Sequence, residues 1–67
     1  MYMEVTPPYS SVVITFEGDE ESGYSVVTST DIDEWFESYH LASIFFVNLM
    51  KRITDDAIVD EAMSLGH

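Results

Sequence analysis

Thirteen acidic residues against two basic ones give this 67-residue chain a formal charge of −11 at pH 7. One domain, residues 1–67, is all that such a length accommodates, and without cysteine it carries neither a disulfide nor a thiolate metal site. A hydrophobic fraction of 46% with 13% aromatics excludes the apolar-poor composition of a disordered acidic tail.

In chain order, Met1–Val5 reads as a short edge strand, ended by Pro7-Pro8, which remove two ladder donors. The N-terminus has no basic region of a signal peptide. Ser11 to Glu17 alternates, with Val12, Ile14 and Phe16 on one face and Val13 and Thr15 on the other. Gly18 to Gly23 is an acidic turn, and Tyr24 to Ser29 alternates again with Tyr24 and Val26 together. Two such runs joined by a short glycine-containing loop predict a β-hairpin. A hairpin alone is barely stable, so its apolar face needs a partner element.

That partner is expected from Thr30 onward. Thr30 and Asp33 resemble a capping box, and Asp31, Asp33 and Glu34 suit a first helical turn. Ile32, Trp35, Phe36, Tyr39, Ala42, Phe46, Leu49, Met50 and Ile53 then follow a 3.6-residue repeat. Trp35, Phe36, Tyr39 and Phe46 are expected in the core, and Lys51-Arg52 in the last turn. Thr54 reads as the cap of a second, short helix with Ile58, Val59, Ala62, Met63 and Leu65 as its stripe and Gly66 as its C-terminal cap. Ile44-Phe45-Phe46-Val47 also suits a buried strand; the lack of Gly or Pro between Tyr39 and Leu41 favours continuous helix. The predicted fold is α+β: a small hairpin, or a three-stranded antiparallel sheet, packed against a long helix plus a short C-terminal helix. The helix centre is apolar nearly all round, which predicts burial on more than one side. Leu41, Ile44 and Phe45 are the surplus, covered by the hairpin or used in association, a symmetric dimer being one way to bury them.

Three acidic groupings are the candidate partner-binding residues. Asp19, Glu20 and Glu21 lie in the turn; Asp31, Asp33, Glu34 and Glu37 on the expected long helix; Asp55, Asp56, Asp60 and Glu61 on the expected short one. Asp33/Glu37 and Asp56/Asp60 fall at i,i+4, a repulsive spacing that helix surfaces usually relieve with opposite charges. Each grouping taken alone is also what a solvated face looks like. None has the ligand order of a calcium loop. His40 and His67 have no ligand-spaced partner, and Ser10, Ser11, Ser25 and Ser29 have no paired base, so no enzyme, metal or cofactor is expected. Leu41 to Met50 is too short to span a bilayer, and a cytoplasmic location is expected.

So acidic a surface repels nucleic acid and anionic membrane and attracts basic clefts. In size, charge and lack of cysteine the chain resembles phage-encoded inhibitors of host defence, anti-CRISPR proteins and anti-restriction DNA mimics. The likeness is one of composition, so no functional residues are carried over. It implies an inhibitory protein of the host cytoplasm whose carboxylates stand in for phosphates on a basic nucleic-acid-binding protein or effector complex. A dimeric assembly module using the apolar helix face, and an antitoxin-like regulatory subunit, are the alternatives.

Overall fold

In the computed structural model, which describes residues 1–65, four strands precede one helix: β1 Tyr2–Val5, β2 Ile14–Asp19, β3 Gly23–Thr28, β4 Asp33–Phe36 and α1 Tyr39–Leu65. The strands form an antiparallel meander in the order β1-β2-β3-β4. The α+β class, the hairpin and the N-terminal edge strand agree with the sequence reading. Gly66 and His67 lie outside the described residues.

The hairpin closes between Asp19 and Gly23, which are partners in the ladder. Asp19 Oδ1 accepts from the Glu21 amide (2.9 Å), the Ser22 amide (2.7 Å) and the Ser22 hydroxyl (2.7 Å), the local bonding that makes Asp a turn residue. Gly18 and Gly23 have φ of 146° and 86°, which favour glycine. Alternation does the rest. Ile14 and Phe16 of β2 and Tyr24, Val26 and Thr28 of β3 are buried under the helix, and Thr15, Ser25 and Val27 point away. Val5 and Pro7 add to the buried side, the first from β1 and the second from the β1–β2 connection.

Two sequence expectations are corrected here. Thr30–Phe36 is not the start of a helix. The Thr28 amide donates to the Ile32 carbonyl (2.9 Å), Thr28 and Thr30 join hydroxyls (2.8 Å), and the chain reverses into β4. Residues 33–36 then pair with residues 24–27. A buried β3 with an open edge would leave backbone groups unpaired, and Trp-Phe is better suited to a strand than to a first helical turn. The helix begins instead at Ser38, whose hydroxyl accepts from the His40 and Leu41 amides (3.1 and 3.4 Å) while its carbonyl takes the first helical bond, from Ala42 (3.1 Å).

Nor does the helix break at Thr54. With no Gly or Pro there, the Thr54 hydroxyl folds back onto the Met50 carbonyl (2.8 Å) and α1 runs on for 27 residues. Among the described residues there is no separate C-terminal helix, and Lys51 and Arg52 sit mid-helix. Residues 44–47 are helical. Ala42, Phe46 and Leu49 form the buried stripe, with Phe45, Met50 and Ile53 beside it. Phe16 is the hub, its ring 5.2 Å from Phe46, 5.8 Å from Tyr39 and 6.4 Å from Tyr24. The helix therefore buries one side, not several. It outruns the sheet, and the described molecule measures 51 × 17 × 17 Å.

Candidate binding face

Among the described residues the sheet is covered by a helix on one face only. On the other, strand register lines up two rows of side chains. Tyr2, Glu17, Ser25 and Trp35 form one row, and Glu4, Thr15, Val27 and Asp33 the next. No two carboxylates are directly opposed; Glu4 and Glu17 are diagonal neighbours, about 7–8 Å apart at their backbone positions. The face thus gathers three acids around a low, uncharged centre.

Trp35 dominates this face and corrects its expected place in the core: it is 61% exposed. Alternation on β4 sends Phe36 inward, against Phe45 (5.1 Å between rings), and Trp35 outward. Its indole N–H donates to the Ser22 carbonyl (3.0 Å), and its ring lies over Gly23, where any Cβ would collide with it. An aromatic covering a strand glycine is a recurrent pairing in sheets. One ring face is thereby fixed to backbone and the other is left to solvent. Tyr39, 54% exposed, is a rim residue of the core through its contacts with Phe16 and Tyr24.

Beside the indole is an open depression of about 390 Å³ lined by Glu17, Asp19, Ser22, Ser25 and Met1. The Met1 amino group donates to the Gly18 carbonyl (2.7 Å) at its border. Asp19 is held below its usual carboxylate range, first by the Ser22 amide and then by the Ser22 hydroxyl and Glu21 amide. At the far edge the Tyr2 hydroxyl donates to the Glu4 carboxylate (2.8 Å), which raises the phenol. The face offers carboxylate acceptors next to a fixed π surface. A guanidinium suits such a site, because it stacks on aromatic rings and bonds carboxylates through a rigid fork.

The acidic residues named from sequence fall into separate places. Asp33 joins the open face. Asp19 borders it but is committed to the turn, with Glu20 and Glu21 exposed beside it. Asp31 is exposed in the β3–β4 turn, Glu34 on the edge strand and Glu37 between β4 and α1. Asp55, Asp56, Asp60 and Glu61 are exposed on the projecting half of the helix, beyond Ile32 and alongside Tyr9, at the end of the molecule away from the Asp19–Glu21 turn. Glu4, Glu17, Tyr2 and Ser25 escaped the sequence reading. Their signal was the outward half of the alternation that marked Ile14, Phe16, Tyr24 and Val26 as inward.

Among the described residues no group of three or more His, Asp or Glu is placed to hold a metal ion, and no helix is long and apolar enough to cross a membrane. No family model, curated protein or solved structure matches the chain.

Proposed function

We propose that this chain is a small acidic binding protein that acts stoichiometrically, by occluding the basic nucleic-acid-binding surface of a partner. Inhibition of a host effector or restriction nuclease, in the manner of anti-CRISPR and anti-restriction proteins, is the role that fits its size and charge. The observation that carries the reading is the uncovered sheet face, where Trp35 is held over Gly23 and shares an open depression with Glu17, Asp33 lying two residues before it on β4. In a chain of charge −11, long-range attraction would bring a basic cleft to the molecule. At contact, an arginine would stack on Trp35 and bond Glu17, while Glu4 and Asp33 take neighbouring cations that otherwise hold phosphates.

The test is competition. Immobilised protein should retain basic nucleic-acid-handling proteins from bacterial lysate, and duplex DNA added at moderate salt should release them. The Glu17→Lys/Asp33→Lys protein should retain none. Retained proteins that DNA does not displace would overturn the reading.

A further inference from the structure

The helix side turned away from the sheet is unexpectedly apolar for so charged a chain. Leu41, Ile44, Val47, Ile58 and Val59 are each between 45% and 55% exposed. At 100° per residue, Ile44, Asn48, Lys51, Asp55, Ile58 or Val59, and Ala62 fall along one strip opposite the buried Ala42–Phe46–Leu49 stripe. The strip is about 27 Å long from Ile44 to Ala62, at 1.5 Å per residue. It is apolar at both ends and carries one lysine and one aspartate near its middle.

That pattern is its own complement when reversed. Laid antiparallel on a second copy about Ile53, Ile44 meets Ala62, and Val47 and Asn48 meet Val59 and Ile58. Lys51 meets Asp55 of the other copy, and the pair occurs twice by symmetry. A parallel pairing would instead stack Lys51 on Lys51 and Asp55 on Asp55 of the other copy. The antiparallel one sets Asp55 against Lys51 and leaves Asp56, Asp60 and Glu61 outside the strip, Asp60 on the line of the buried Ala42–Phe46 stripe. We propose that a second copy of this chain covers the outer face of α1, forming an antiparallel, two-fold helix pair with reciprocal Lys51–Asp55 bridges. Lys51, the only lysine beside a single arginine in the chain, then has a fixed task. The pair also holds two acidic sheet faces at opposite ends of one particle. This assignment does not depend on what those faces bind.

Sedimentation equilibrium or light scattering on the full chain tests it across micromolar to millimolar concentration. The expected mass is twice the 7.6 kDa of the chain, and Ile44→Glu should return it to 7.6 kDa while circular dichroism keeps its folded signal. Lys51→Glu and Asp55→Lys should each weaken association at least tenfold, and the combined Lys51→Glu/Asp55→Lys protein should recover it. Chains carrying Ile44→Cys should form disulfides with chains carrying Ala62→Cys and not with one another. A monomer at all concentrations overturns the proposal, as does a dimer indifferent to Ile44→Glu. Failure of the double charge swap to rescue, or Ile44→Cys chains cross-linking to themselves, rules out this antiparallel register.

Discussion

Trp35 and Phe46 are both large aromatics, and the sheet assigns them opposite consequences when truncated. Phe46 is buried against Phe16, so Phe46→Ala should cost about 3–5 kcal/mol, enough to unfold much of so small a domain. Trp35 has its outer ring face in water, and Trp35→Ala should change stability by no more than about 1 kcal/mol, chiefly the bond to Ser22. Urea denaturation of the two variants checks the contrast, and a Trp35→Ala protein as unstable as Phe46→Ala would return the indole to the core. Asp19 makes a pH-dependent contribution. Its folded pKa lies below the ordinary 3.8 because of the Ser22 and Glu21 donors, so its stabilisation is complete above 3.8 and is lost as pH falls through the depressed value. Asp19→Ala should therefore melt lower than the parent at pH 7, with the gap closing below pH 3.8. A gap constant to pH 2 would mean that the carboxylate charge plays no part.

At the level of elements, the cap positions separate one helix from two. Ser38→Ala removes the bonds to His40 and Leu41 and should cost about 0.5–2 kcal/mol. Thr54→Ala removes only a back-bond within a continuous helix and should be neutral or slightly stabilising, with helicity unchanged. If Thr54→Ala were as damaging as Ser38→Ala, Thr54 would be a cap after all. The hairpin was legible because Ile14/Phe16 and Tyr24/Val26 alternate cleanly around two glycines. β4 was hidden, since Ile32, Trp35, Phe36 and Tyr39 fit a helical repeat as well as a strand followed by a turn. What decides between them is the open edge of β3, a non-local demand that a local pattern does not carry. The same error hid the binding face. Trp35 changes from core to surface when period 3.6 becomes period 2, and Glu4, Glu17 and Asp33 converge only through strand register. Thr54-Asp55-Asp56 resembled a helix start because cap chemistry is also tolerated mid-helix when no Gly or Pro interrupts the turn.

For the whole molecule, a charge of −11 on an elongated body makes self-repulsion a global term. Raising sodium chloride from about 10 to about 150 mM shortens the Debye length from roughly 30 to 8 Å and should raise the melting temperature; a fall would mean that favourable charge pairs prevail. Binding should show the opposite salt dependence, because the same screening weakens steering toward a basic partner. Glu4, Glu17 and Asp33 lie on the open sheet face and Asp55, Asp56, Asp60 and Glu61 on the projecting helix, so an epitope centred on the sheet face spares the helix set. Since Trp35 is the only tryptophan, its indole N–H resonance reports the sheet face alone. The most direct measurement is a titration of the ¹⁵N-labelled protein with an arginine-rich peptide, followed by heteronuclear NMR. Shifts should concentrate on the Trp35 indole and the amides of Thr15, Glu17, Ser25 and Asp33, with an equally charged lysine peptide binding more weakly. Shifts confined to Asp55–Glu61, with the Trp35 indole unmoved, would contradict the assignment of the open sheet face as the binding surface.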